Sequence, residues 1–541
     1  MKQLLPHLIL VPIVLPLVTA AVLMLFGDRR RRLKSLINLA STATGLAVAV
    51  AILQRVDAGG EIGVYLAANW EAPFGIVLVA DRLAALLLVL VGVVGLCTAL
   101  YAEAVWARVS VYFHPLFQIQ LMGLNGAFLT GDLFNLFVFF EVLLAASYGL
   151  QLHGSGWPRV RSGLHYIAVN LLASSLFLVG LAVLYGVLGT LNMADVAQKI
   201  PLVPEADRGL MHTGAAILAV AFLIKAAVWP LNAWLVPAYR AASAPVAALF
   251  ALMTKVGFYT LLRLWTLFFG VEAGASAGFG SPVLFCGGIA TIAFATVGLT
   301  ASLRLGNIAA FSILLSSGTL LATLGVGDAA VTSAAIYYLV SATMAVSALF
   351  LLVELVERIG NRGEARLAGV EAFPGEDTNL DDEELPLVGR AIPISMAVLG
   401  LAYMAAAVLV AGLPPLSGFV AKFSILSAVV NQTEAISTWG WMLLAALLVS
   451  GLAATVTLAK AGIRHFWASG GRYVPRLKSV EVIAVLSLIF CCIAMTIWAE
   501  PVMRYTGATA EGLHRPRSYI DTVLSMKALP GVVQADGEGA Q

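Results

Sequence analysis

Apolar residues in this chain come in runs of about twenty, divided by shorter polar segments rich in arginine, glycine and proline. At 1.5 Å per residue, a helix of about twenty apolar residues reaches across a ~30 Å hydrocarbon core. The pattern predicts about fourteen membrane-spanning helices. The alternating ~10-residue segments of a membrane β-barrel are absent. The expected fold class is an all-α integral membrane protein.

The polar segments differ from one another. Residues 58–81 combine β-branched alternation with glycines and read as an outside loop with a possible hairpin. Residues 190–208 leave room for a short surface helix. Residues 357–390 contain GEDTNLDDEELP and read as a solvated acidic cytoplasmic linker. After Arg504 no long apolar or amphipathic stretch is expected.

Two spans are too long and too broken for simple helices. The stretch His212 to Tyr239 carries Lys225, Pro230 and Pro237; the stretch Pro393 to Val430 carries Gly412, Pro414, Pro415, Gly418 and Lys422. Proline removes a backbone donor and frees a carbonyl, and irregular backbone at membrane depth survives only inside protein or beside a hydrated cavity. The breaks fall in the seventh and twelfth spans. Because they are an odd number of spans apart, a second copy of a five-helix unit would lie inverted in the membrane, as in many ion-coupled transporters. The expected layout is residues 1–110 with three helices and an outside loop at 55–81, a first five-helix repeat at 111–270, and a second at 281–466 containing the acidic loop. A last helix at 467–505 and an outside tail at 506–541 complete it.

Composition fits this picture, with 60% hydrophobic and 11% charged residues in 541. Positive-inside logic puts the arginine block Arg29 to Arg32 in the cytoplasm and both termini outside. About eighteen of 32 Lys and Arg then lie on the cytoplasmic side and about nine outside. A cleavable signal peptide ending near Ala20 is the rival reading of the first helix, but the arginine block would resist translocation. The net charge of +2 reflects topology and not nucleic-acid binding. Cys97, Cys286, Cys491 and Cys492 lack metal-ligand spacing and read as packing residues. With no phosphate-binding loop and no nucleophile elbow, neither a cofactor nor a metal is expected.

Against that background four ionisable residues stand inside apolar runs: Glu141, Lys225, Lys255 and Lys422. Glu141 is nine residues beyond Asp132, or about 13 Å into its span, near the bilayer middle. Burial disfavours the charged form of any such group, and a nearby opposite charge restores it. A lysine with a movable acidic neighbour is therefore a switchable proton carrier. The residue pattern suggests that Glu141 pairs with Lys225, which would pass its proton to Lys255 and on through water to Lys422. The plainer alternative is that these charges only hold helices together. Lys460 and Arg263 read as snorkelling side chains, and His153, His165, His212 and His465 as residues near the membrane surface.

The runs HPLFQIQLMGLNGAFLTGDLFNLFVFFEVLLAASYGL (114–150) and IKAAVWPLNAWLVPAYRAASAPVAALFALMTKVGFY (224–259) resemble the antiporter-like subunits shared by respiratory complex I, membrane hydrogenases and multisubunit Mrp cation/proton antiporters. The likeness covers roughly residues 60–500, and GDLFNLFVFFE looks most like the D-type subunit of the Mrp systems, also described as pH-adaptation potassium efflux systems. The resemblance implies fourteen helices, two inverted repeats and a central charge row of Glu141, Lys225, Lys255 and Lys422. It also implies partner subunits of the A, B, C, E, F and G types, with Na⁺ or K⁺ leaving a bacterial cell across its cytoplasmic (inner) membrane as protons enter. A proton-pumping subunit of a complex I or hydrogenase type enzyme is the alternative. Between 337 and 351 many relatives carry histidine where this chain has Ser341, Ala342 and Val346. A hydrated link through Ser312, Ser341 or Thr343 is the expected substitute.

Overall fold

The computed structural model describes residues 5–27, 30–105, 112–154, 156–367, 393–431, 436–467 and 477–528. Helices dominate. They begin with α1 (Leu5–Leu8), α2 (Val11–Leu25) and α3 (Arg31–Gly59), followed by strands β1 (Gly63–Leu66) and β2 (Val77–Ala80). Next come α4 (Arg82–Ala104), α5 (Phe113–Leu129), α6 (Leu133–Gln151), α7 (Trp157–Leu188), α8 (Met193–Lys199), α9 (Glu205–Lys225), α10 (Leu235–Ala241) and α11 (Ala244–Phe268). The second half holds α12 (Ser281–Ala301), α13 (Leu305–Val326), α14 (Ala329–Leu367), α15 (Ile394–Ala411), α16 (Ser417–Val430), α17 (Thr438–Gly462), α18 (Ser479–Ile497), α19 (Ala499–His514) and α20 (Arg517–Leu524).

Among the described residues, twelve helices are long and apolar enough to cross a membrane. Their burial sorts them. Every residue of α11 is buried, and α13 is buried along almost its whole length. In α7, α12, α15 and α17 one face is buried and the other exposed. Apolar side chains on the outer face lose nothing in lipid, so the all-round apolar helices need no polar surface. Helices α11 and α13 instead bury Lys255 and several hydroxyls that lipid would penalise.

The hairpin is present, with Gly63 opposite Ala80 and Leu66 opposite Val77. All four β2 residues are buried, because the Gly131 amide donates to the Val77 carbonyl at 2.8 Å and Leu78 bridges to Thr130. The hairpin thus plugs the turn between α5 and α6.

Several expectations need correction. Helix α8 lies in the expected segment, but Met193 to Ala197 are buried and not on the surface. The tail is amphipathic: α19 runs through Arg504 and buries Tyr505, Thr506, Thr509, Ala510 and Leu513 at helical spacing. Its Tyr505 hydroxyl donates to the Arg82 carbonyl at 2.8 Å. Tyrosine, threonine and alanine with a single leucine form that buried face, so hydropathy alone does not register it. Helix α14 continues to Leu367, well past the expected start of the acidic linker, while GEDTNLDDEELP lies outside the described residues. Cys286 is exposed and does not pack in the core; Cys97 and Cys492 are buried. His153 is buried against the Phe113 ring and is not a surface residue.

Arg263 does not snorkel. Its guanidinium makes two hydrogen bonds to the Asp81 carboxylate, at 2.5 and 2.7 Å, with Tyr259 and Tyr519 rings 5.6 and 5.4 Å from its carbon. Asp81 also caps α4 through the Ala84 amide. A paired, ring-covered guanidinium meets the cost of burial locally and need not reach for water. Lys460, by contrast, is exposed as expected.

Candidate ion-relay site

Lys225 is the last residue of α9, and the chain then leaves helical geometry until α10. Ala227 takes a left-handed φ of 54°, a conformation costing an L-residue about 1–2 kcal/mol. The groups freed by this break are nevertheless met. The Val228 amide donates to the Leu223 carbonyl at 3.0 Å, the Trp229 amide to Thr291 Oγ1 at 2.9 Å, and Trp234 Nε1 to the Ile224 carbonyl at 3.1 Å. Helix α11 presses directly on the break, since a Cβ on Gly257 would come within 2.7 Å of the Ala226 nitrogen. Only glycine allows that approach.

The expected Glu141–Lys225 pair exists in indirect form. Lys225 Nζ donates to Ser174 Oγ at 3.4 Å, and the Ser174 hydroxyl donates to Glu141 Oε1. No direct ion pair joins the two charges among the described residues. The reason is positional: α7 packs against both α6 and α9, and its serine occupies the space between them. The Phe140 ring lies 5.3 Å from Nζ and adds a cation–π contact. Lys225 is 5% exposed, whereas Glu141 is only half-buried.

Lys255 sits in the wholly buried α11 and donates to Ser316 Oγ of α13. Ser316 in turn donates to the Ile313 carbonyl at 2.9 Å, so its oxygen is the acceptor for Lys255. Ser312, one turn earlier, bonds the Ile308 carbonyl of its own helix at 2.8 Å. Thr343 likewise bonds Leu339. Among the three expected link residues only Ser341 reaches another helix, through a 2.8 Å hydroxyl contact with Ser417 at the start of α16. Beside Ser316, the buried hydroxyl of Ser317 has no partner.

At the second break, α15 ends at left-handed Gly412 and α16 begins at Ser417, with Pro414 and Pro415 between. Lys422 points back across it. Its Nζ donates to the Ala411 carbonyl at 2.7 Å and the Val410 carbonyl at 3.5 Å. These are the last carbonyls of α15, where unsatisfied acceptors and the negative end of the helix dipole favour a cation. A Cβ on Gly418 would fall 2.0 Å from the Leu409 oxygen, so the two halves meet at a glycine.

The four charges thus fall into separate short networks: Glu141, Ser174 and Lys225; Lys255 and Ser316; and Lys422 with the α15 carbonyls. Among the described residues no direct hydrogen bond links Lys225 to Lys255 or Lys255 to Lys422. Ser174, Ser316 and Ser417 were not singled out by sequence reasoning. The available signal was weak, since a serine inside an apolar span reads equally well as helix packing.

The family model described as NADH:quinone oxidoreductase/Mrp antiporter, transmembrane, matches residues 130–453. A relative from Rhizobium meliloti, named as the D-type subunit of a probable K⁺/H⁺ antiporter, is 49% identical over 97% of this chain and 99% of its own. The D-type subunit of the Na⁺/H⁺ antiporter of Alkalihalophilus pseudofirmus is 33% identical over 96% and 99%. Among solved structures, a chain of the Mrp complex from a Dietzia species matches with a TM-score of 0.81 and 27% identity, covering 96% of this chain and all of that one. A chain of Thermus thermophilus respiratory complex I matches with a TM-score of 0.72 at 20% identity over 96% of this chain and all of that one, a likeness of fold alone.

Proposed function

This chain belongs to the NADH:quinone oxidoreductase/Mrp antiporter transmembrane family, and we propose that it is the D-type subunit of a multisubunit Na⁺ or K⁺/proton antiporter that moves protons along its buried Glu/Lys residues. The observation that carries this reading is similarity along essentially the whole chain to proteins named as D-type antiporter subunits. The alternative, a pumping subunit of a redox enzyme, shares the same family description, but among redox complexes the likeness is one of fold, at 22% and 20% identity.

The finer architecture belongs to the same proposal. The twelve long apolar helices, together with α2 and α5, make fourteen spans, with α9/α10 and α15/α16 as the seventh and twelfth. Helices α5 to α11 would form the first repeat, at 111–270, and α12 to α17 the second, at 281–466. Residues 1–110 would precede them, with residues 467–505 and the tail 506–541 after. The arginine bias supports both termini outside a bacterial cytoplasmic membrane.

The relay reading follows from the bridge. Ser174 offers one proton and one acceptor position, so it can couple Glu141 to Lys225 without direct contact. When Glu141 holds the hydroxyl, Ser174 Oγ stays available to the Lys225 ammonium. When Glu141 turns away or is protonated, that ammonium is left desolvated and without its counter-charge, and its proton moves toward Lys255. Ser316 steadies Lys255, and the partnerless hydroxyl of Ser317 supports water there. From that point Ser341 and Ser417 lie on the way to the helix carrying Lys422.

Copurification in mild detergent tests the functional class. Antiporter subunits of the A, B, C, E, F and G types, small hydrophobic ones among them, are expected with this chain. Quinone reductase or hydrogenase subunits in their place would overturn the reading.

A further inference from the structure

A cavity of about 940 Å³ opens at the end of the bundle where α7, α10, α13 and α14 meet the start of α11. It is lined by Arg159, Arg161, Arg240 and Arg304, against the carboxylates Glu354 and Glu357. Glu354 already accepts from Arg358, and Glu357 lies beside Arg240 across Gly306. Four arginines thus face two carboxylates, with Arg240 also donating to Asn307 Oδ1 at 3.4 Å and Arg159 to the Ala241 and His153 carbonyls. Topology alone accounts for basic residues on this face.

It does not account for Ser243. This residue is the N-cap of α11, the position where a serine normally accepts from an amide of the first turn. Here the side chain makes no cap bond, its hydroxyl is buried without a partner among the described residues, and the residue lines the cavity at 2% exposure. A buried, partnerless hydroxyl is costly unless a ligand or water completes it. The first turn of α11 adds the Ala244 and Val246 amides, Pro245 between them having none, and the positive end of a 25-residue helix dipole.

We propose that this cavity binds a phosphate group, held by Arg240 and Arg304, the Ser243 hydroxyl and the first turn of α11. Guanidinium forks, a hydroxyl and helix N-terminal amides are the donors a phosphate oxygen needs. The group comes from an anionic phospholipid headgroup or from soluble phosphate. Arg240 ends α10, the second half of the first broken helix, and Lys255 lies about three turns along α11. A phosphate here would therefore brace both elements next to Lys225 and Lys255.

The test uses the intact complex purified in mild detergent, with melting followed against phosphatidylglycerol, phosphatidylcholine or inorganic phosphate. Saturable stabilisation of about 3 °C is expected with phosphatidylglycerol or with inorganic phosphate, but not with phosphatidylcholine. Stabilisation by phosphatidylglycerol alone identifies the headgroup, and stabilisation by inorganic phosphate identifies the soluble source. The rise should vanish in Arg240→Gln/Arg304→Gln, and half-saturation should weaken at least about fivefold in Ser243→Ala, which removes one hydroxyl and no hydrogen bond seen among the described residues. If the double variant does not assemble, Ser243→Ala carries the decision alone. No rise above the phosphatidylcholine control, or an unchanged rise and half-saturation in Ser243→Ala, overturns the proposal.

Discussion

Lys225 and Lys422 stand beside the two helix breaks, but their surroundings differ in kind. Lys225 closes the half-helix before its break and is met by side chains: a serine, beyond it a glutamate, and an aromatic ring. Lys422 lies in the half-helix after its break and is met by main-chain carbonyls at the end of the preceding half. A side-chain partner can rotate, be protonated or withdraw, whereas helix-terminal carbonyls keep their place as long as the helix exists. On the proposed reading, the first break is the one that can be switched and the second holds a cation in a fixed field. The half-burial of Glu141, against the near-complete burial of all three lysines, points the same way.

Substitutions can break or sharpen this contrast. The largest expected effect is shared by both breaks: Lys225→Ala and Lys422→Ala should each lower cation-driven proton movement about a hundredfold, within the range of positioned proton-transfer groups. Everted vesicles carrying assembled complexes give the readout, and activity surviving in either variant would remove that break from the path. Next, Ser174→Ala should cost about tenfold, because it deletes the bridge while leaving both charges. Among the described residues Lys422 donates only to main-chain carbonyls, so no side-chain substitution does the same there. Smaller still, Ser316→Ala should lower transport about fivefold, while Ser312→Ala and Thr343→Ala stay within about twofold, since their hydroxyls bond their own helices. Equal effects at 312 and 316 would place the link elsewhere on α13.

Asp81→Asn addresses stability at the other ion pair. It should destabilise the folded chain by about 3–5 kcal/mol, the cost of leaving a buried guanidinium without its counter-charge. Thermal melting of the detergent-solubilised complex checks this, and an unchanged transition would mean that water replaces the carboxylate.

Much of this was legible in the sequence because lipid imposes simple demands. Runs of about twenty apolar residues mark helices, prolines at 230, 414 and 415 mark breaks, and a charge in an apolar run stands out against its neighbours. The partners were not legible for a related reason. Ser174 and Ser316 carry no charge and sit in spans rich in other serines, and only the packing of α7 between α6 and α9 distinguishes the first of them. Arg263 misled because a charged residue near a helix end has the same sequence appearance whether it reaches for water or for Asp81 across 182 residues. The amphipathic α19 was missed because its buried face is made mostly of tyrosine, threonine and alanine, with one leucine.

The central claim is that Glu141, acting through Ser174, controls the proton on Lys225. Cation/proton antiport in everted vesicles whose Glu141→Ala complexes copurify with a full set of partner subunits tests it most directly. Loss of antiport with assembly intact is the predicted result. Undiminished antiport in the same assembled complexes would contradict the account.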